Sequence, residues 1–81
     1  MIILGDIGNT KTKICLVNNN LRIIKKFLIS SKIKEINKLD NYLKKINFSK
    51  IDKILFCSVV PSTFKIVKKY LQKKTNKRCF E

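Results

Sequence analysis

The sequence predicts an α/β domain: a mixed sheet with helices on its faces, in the order β-β-β-α-β-α-(β). Three observations predict it. Short apolar or alternating runs separated by turn residues fill residues 2–29, the pattern of successive hairpins. Two later stretches switch to helical spacing. Between them stands a short buried-type run, Ile54-Leu55-Phe56-Cys57, so the second half reads as strands joined by helical crossovers.

Each element follows from its residues. Residues 2–7 are apolar on both parities, which predicts a central strand covered on both faces. Residues 12–17 form a second strand returning from the turn that follows the first. Asn18-Asn19-Asn20 is the next turn, because asparagine tolerates the left-handed region that tight hairpins use. A third strand runs from Leu21 to Ile29, with Leu21, Ile23, Phe27 and Ile29 on one face and Arg22, Lys26 and Ser30 on the other. Lys25 and Lys26 suit an exposed edge that must avoid pairing with other chains.

Helical spacing then takes over. Ile36, Leu39, Leu43 and Ile46 step by 3, 4 and 3, a single stripe, with Lys38, Asp40, Lys44 and Lys45 on the wet side. The pattern breaks from Asn47 to Asp52, and Ile54–Cys57 restores a buried strand. Pro61 fits the first turn of a second helix, where its missing N–H costs nothing. Phe64, Val67 and Leu71 give that helix its apolar stripe, opposed by Lys65, Lys68, Lys69 and Lys73. Arg78-Cys79-Phe80-Glu81 reads as the opening of another strand.

Composition narrows the function classes. A chain of 81 residues makes one small domain, which buries only about 60–65% of its unfolded surface. No stretch approaches the ~20 apolar residues of a membrane span. The start lacks a basic region, and Asp6 interrupts its apolar run, so a secretory signal is not expected. A soluble cytoplasmic protein is the expectation. The net charge is +14, with 17 lysines against 2 arginines. The lysines are spread from Lys11 to Lys77, whereas base and phosphate readers favour the arginine fork. Ile, Lys and Asn supply 38 of the 81 residues, so the basicity is read as composition and solvated surface, with mild attraction for anionic ligands. Cys15, Cys57 and Cys79 form no CxxC pair and the chain has no histidine. That disfavours a zinc site and excludes a Ser-His or Cys-His nucleophile within the chain. The thiols are expected to be free and buried.

The residues that carry chemistry follow the first strand: Asp6-Ile7-Gly8-Asn9-Thr10. Glycine lets the backbone approach an oxyanion with no Cβ in the way, and successive turn N–H groups make an anion-binding concavity. Thr10 offers a hydroxyl, Asn9 an amide, and Asp6 a hard oxygen suited to Mg²⁺ or its water shell. An ordinary Asx-type hairpin turn is the competing reading. Lys11 and Lys13 share a strand parity and can neutralise phosphate as point charges, or stand as two solvated lysines. Thr12 points the opposite way and is expected to pack. Ser58 either lines the cleft at the carboxyl end of the fourth strand or caps the helix that follows, and the cap is favoured.

The segment DIGNTKTK, residues 6–13, resembles the first phosphate-binding motif of type III pantothenate kinases, within the superfamily of sugar kinases, actin and heat-shock chaperones. Cys57-Ser58-Val59-Val60-Pro61 resembles that family's Ser-Ser-Val-Val-Pro strand-to-helix junction, and Ile29-Ser30-Ser31 resembles its Ile-Ser-Thr. These matches occur in family order along the whole chain. The resemblance implies a ribonuclease-H-like sheet of strand order 3-2-1-4-5, the incomplete first half of an actin-like two-domain kinase. It implies ATP-dependent phosphorylation of pantothenate to 4′-phosphopantothenate, the first step toward coenzyme A. It further implies Mg²⁺, a monovalent cation (K⁺ or NH₄⁺), and a homodimer. The ATP-binding residues would be Asp6, Ile7, Gly8, Asn9, Thr10, Lys11, Thr12 and Lys13, with Asp6 also serving the metal.

In that family the catalytic aspartate of a Gly-x-Asp-Arg segment, the second phosphate motif and most pantothenate contacts lie further along. The chain therefore reads as an amino-terminal phosphate-binding domain, residues 1–81, without the second domain and inactive by itself. Two rivals stand beside this reading. One is another kinase of the superfamily with the same turn. The other is a small basic module for nucleic acid or regulation, which the scattered lysines disfavour.

Overall fold

The computed structural model describes residues 1–33 and 36–81, and at residues 36 and 37 the backbone alone. Its strands are β1 (Ile2–Ile7), β2 (Lys11–Val17), β3 (Ile23–Ser30), β4 (Lys53–Ser58) and β5 (Cys79–Phe80); its helices are α1 (Ile36–Leu43) and α2 (Pro61–Thr75). A single 3-10 turn, Phe48–Lys50, fills the interval where the helical pattern breaks. The strands form one sheet in the order β3-β2-β1-β4-β5, the order the resemblance implies. β1 pairs antiparallel with β2 and parallel with β4, and β5 joins β4 in parallel.

One face of this sheet carries the core. Ile3 and Ile7 of β1, Ile14 of β2, and Ile54 and Phe56 of β4 pack beneath Leu39 and Leu43 of α1 and Val67 and Leu71 of α2. Each fully buried aliphatic or aromatic side chain contributes roughly 1.5–3 kcal/mol of transfer free energy. That burial holds α1, whose 8 residues are too few for a stable isolated helix. Ile46 completes the α1 stripe just beyond the helix, where its N–H donates to the Leu43 carbonyl at 3.1 Å. The Ile36 side chain, assigned by its spacing to the same stripe, lies outside the described residues. Tyr70 is buried on α2 and its hydroxyl donates to Asp40 Oδ1 at 2.7 Å, tying the two helices together. At the end of α2, Asn76 takes a left-handed conformation with φ of 56°, the usual C-terminal stop.

Gly5 has a packing role. It sits directly across from Phe56 in the β1–β4 register, and a Cβ built there would lie 2.0 Å from the Phe56 ring. The missing side chain is the space the ring occupies.

The structure corrects several expectations. Both helices cover the same face, so β1 and β4 are buried on one side only. Leu4, Leu55 and Phe80 on the other side are 39%, 45% and 47% exposed. An apolar run marks a strand that can be covered twice, and cannot say where the chain supplies the cover. The asparagine turn is built differently too. Asn18 Oδ1 accepts the N–H groups of Asn20 and Arg22 at 3.0 and 2.9 Å, and the left-handed residue is Leu21, with φ of 62°. Once Leu21 lies in the turn, β3 starts at Ile23, and an irregularity opposite Leu16 and Val17 breaks its parity. Ile23 is therefore exposed while Ile29 is buried. Of the three thiols only Cys79 is buried. Cys15 is half-buried, Cys57 is exposed, and all three are free. Among the described residues no helix is long and apolar enough to cross a membrane.

Candidate functional site

The three segments singled out by sequence meet at one end of the sheet. β1 and β4 run in parallel and finish side by side, with Ile7 opposite Ser58. The Val59 N–H donates to the Ile7 carbonyl at 3.0 Å, extending the ladder by one rung past β4. On the other side, Ser31 continues β3 by one rung and donates its N–H to the Thr10 carbonyl at 2.9 Å. The loop of residues 8–10 is therefore anchored from both flanks. Gly8 closes it by donating to the Lys11 carbonyl at 3.0 Å. This is the carboxyl end of the parallel strands, where open α/β sheets bind ligands.

Gly8 is not in the left-handed region, since the described residues include no glycine of positive φ. The reason for glycine here is proximity: a Cβ would stand 3.2 Å from the Lys11 carbonyl oxygen, closer than ordinary contact. A side chain at this position would require the Lys11 carbonyl to give way by a few tenths of an ångström.

The candidate ligand residues divide into two sets. Asp6, Asn9, Thr10, Lys11 and Lys13 are exposed and Gly8 half-exposed, so all six can meet a ligand. Lys13 lies directly across from Asp6 in the β1–β2 register. Ile7 and Thr12, assigned to ATP by resemblance, are buried. The Ile7 side chain belongs to the core, and Thr12 Oγ1 lies 2.8 Å from Ser31 Oγ. Strand alternation explains both, because the strand next to an exposed loop must still send alternate residues inward. These two support the loop from behind and do not face its mouth.

A cleft of about 560 Å³ opens beside the loop, lined by Asn9, Lys32 and Val60 together with Ser62, Thr63 and Ile66 of α2. The first turn of α2 holds no acidic residue, and Val60 gives it no side-chain cap. Its N-terminus thus presents partial positive charge at the edge of this cleft. Ser58 does not cap the helix. Its hydroxyl accepts the Val60 N–H at 3.1 Å and donates to the Val60 carbonyl at 3.2 Å, holding the junction before Pro61 in a turn. The serine reaches its own i+2 peptide, and the helix begins too late for it to reach further.

Asp6 fits a magnesium-bound phosphate. Its carboxylate is exposed at the end of β1 and enters no ion pair among the described residues, where the pairs are Met1–Asp52 and Lys74–Asp40. No group of three metal-ligating side chains occurs among those residues. One carboxylate suits Mg²⁺, which keeps several waters and takes phosphate oxygens as ligands.

Sequence reasoning singled out the Ile29-Ser30-Ser31 segment but gave Ser31 no role, and it missed Thr63 as part of this region. A serine or threonine after a strand or at a helix start reads as surface, and nothing in spacing marks one as buried.

Comparison with known proteins bears on the family and the fold. The type III pantothenate kinase family pattern matches residues 2–80. A type III pantothenate kinase of Pelagibacter ubique is 46% identical over 83 aligned residues, an alignment spanning 100% of this chain and 34% of that protein. The chain thus spans about a third of that relative's length. A crystal structure from Porphyromonas gingivalis, of a protein assigned as an N-acetylglucosamine kinase, superposes with a TM-score of 0.61 at 22% identity, covering 99% of this chain and 32% of the other. At that identity the likeness speaks for the fold.

Proposed function

The chain belongs to the type III pantothenate kinase family, and we propose that it supplies the ATP-phosphate-binding part of an enzyme that phosphorylates pantothenate. The γ-phosphate of ATP passes to the pantothenate hydroxyl, giving 4′-phosphopantothenate, the first step of coenzyme A biosynthesis. The observation that carries this reading is the convergence of three segments on the residue 8–10 loop. Its mouth is flanked by the Asp6 carboxylate, which enters no ion pair among the described residues, and by two lysines.

In this reading Gly8 allows the phosphates to approach the loop backbone, and Asn9 and Thr10 donate hydrogen bonds to phosphate oxygens. Lys11 and Lys13 add positive charge, and Asp6 holds the Mg²⁺ or one of its waters. Mg²⁺ supplies charge neutralisation on the transferring phosphoryl group when bound. Ile7 and Thr12 keep the loop on the sheet. No residue of this chain is assigned to the monovalent cation (K⁺ or NH₄⁺), to pantothenate or to proton abstraction. The family resemblance supports a homodimer as the working form and the cytoplasm as its place. Nucleic-acid binding is disfavoured by the scattered lysines.

Asp6→Asn in the complete gene product tests the central role. It preserves shape and removes the charge, so pantothenate-dependent ATP consumption should fall about a hundredfold or more with little change in melting temperature. Near wild-type turnover with unaltered Mg²⁺ dependence would refute the assignment.

A further inference from the structure

Among the described residues three polar side chains are buried: Thr12, Ser31 and Thr63, at 2%, 4% and 3% exposure. They form one hydrogen-bonded group. Ser31 Oγ pairs with Thr12 Oγ1 at 2.8 Å, and Thr63 Oγ1 donates to the Ser31 carbonyl at 2.5 Å. The Ser31 N–H donates to the Thr10 carbonyl at 2.9 Å. Ser31 thus spends its N–H, hydroxyl and carbonyl on the loop, on β2 and on the first turn of α2. Every other residue of the described core is an aliphatic or aromatic side chain or a cysteine. Buried hydroxyls add nothing to packing that valine or alanine would not supply, and each demands a partner. Here all three adjoin the loop, with Ser31 and Thr63 at the base of the cleft that Asn9 also lines.

The peptide plane gives this arrangement a direction. The Thr10 carbonyl and the Lys11 N–H belong to one trans peptide and point opposite ways. Binding the carbonyl to Ser31, on the β3 side, turns the Lys11 N–H to the opposite, β1 side of the hairpin, the side on which Gly8 meets the Lys11 carbonyl.

We propose that Ser31, with Thr12 and Thr63, is a positioning unit for the phosphate site. It aims the Lys11 amide and fixes the residue 8–10 loop against the first turn of α2, without itself touching nucleotide. This rests on the phosphate-cradle reading above. A purely structural role makes a different prediction for paired substitutions, because removing both partners of a buried hydrogen bond restores stability that removing one destroys.

The test uses the complete gene product with Mg·ATP as probe, comparing affinity by calorimetry with stability in urea. Thr12→Val and Ser31→Ala should each weaken Mg·ATP binding about tenfold and lower stability. The double variant should recover most of the stability and little of the affinity, and the Lys11 amide resonance should lose its Mg·ATP-induced shift. Should the double variant destabilise the fold too far, Thr63→Val against Thr63→Ser gives the same contrast: the serine variant, keeping the hydroxyl, should bind far closer to wild type. Affinity that returns with stability in the double variant, or equal binding by the two Thr63 variants, overturns the inference. Gly8→Val separates this from the underlying reading. Weak binding by Gly8→Val beside normal binding by Thr12→Val sinks the positioning unit alone. A wild-type protein that does not bind Mg·ATP sinks both.

Discussion

Gly5→Ala is the sharpest test of the packing beneath the site, because two effects of opposite sign compete. Local propensity favours alanine: glycine within a strand costs roughly 0.5–1 kcal/mol relative to alanine through chain entropy. Packing opposes it. The added methyl carbon would lie 2.0, 2.3 and 2.4 Å from three atoms of the Phe56 ring, well inside the ~3.5–4.0 Å optimum for carbon pairs. Phe56 is buried and packs against Phe64 with ring centroids 6.1 Å apart. The ring must therefore leave its rotamer or push the sheet away from α2. Overpacking of this kind costs typically ~1–3 kcal/mol and occasionally more, and a displacement of over 1 Å argues for the upper part of that range. The net expectation is destabilisation of about 1–2 kcal/mol after the propensity gain. Urea unfolding of the complete gene product should show a lower midpoint at unchanged slope. The decisive control is Phe56→Leu, which vacates part of the ring's space. Gly5→Ala introduced on that background should cost clearly less than in wild type, the signature of coupling between contacting residues. A neutral or stabilising Gly5→Ala, or equal costs on both backgrounds, would refute the argument.

Gly8→Val should weaken Mg·ATP binding about tenfold or more, because the side chain crowds the Lys11 carbonyl that closes the loop; unchanged affinity by calorimetry would show that the loop is no cradle. Stability should fall at alkaline pH. Burial pushes the Cys79 thiol from its ordinary 9.0 to about 11, and burial with the Asp40 hydrogen bond raises Tyr70 well above 10.0. A folded pKa raised in this way means stability held below the unfolded value and lost as pH climbs through the folded one. Melting temperature should therefore decline from about pH 9 upward, with Cys79→Ala flattening the part of the decline below about pH 11. A flat profile to pH 11 would contradict this. The 81-residue chain by itself should show no pantothenate-dependent ATP consumption, since no residue in it is assigned to the acceptor or to its proton; robust turnover would overturn that division of roles.

Much of this protein was legible in its residues. Period and turn chemistry located every strand and both helices to within a few positions, since alternation and helical stripes are local consequences of backbone geometry. The position of the Asp6–Thr10 turn was legible too, because a glycine and small polar residues after an apolar run mark where a strand ends. What sequence left open depended on which segments meet. An apolar strand reads the same whether one face or both are covered, so the exposure of Leu4 and Leu55 had to come from the placement of α1 and α2. The need for glycine at position 5 lies in a phenylalanine about fifty residues away in sequence but its direct partner in the sheet. Gly8 was read as leaving room for an oxyanion, while the reason visible in the fold is room beside the Lys11 carbonyl. Likewise Thr12, Ser31 and Thr63 are ordinary polar residues until the sheet brings them into one buried group. Hydrophobic period is written along the chain. Hydrogen-bond partnership between distant hydroxyls, and the space a ring takes from a neighbouring strand, exist only once the chain has closed.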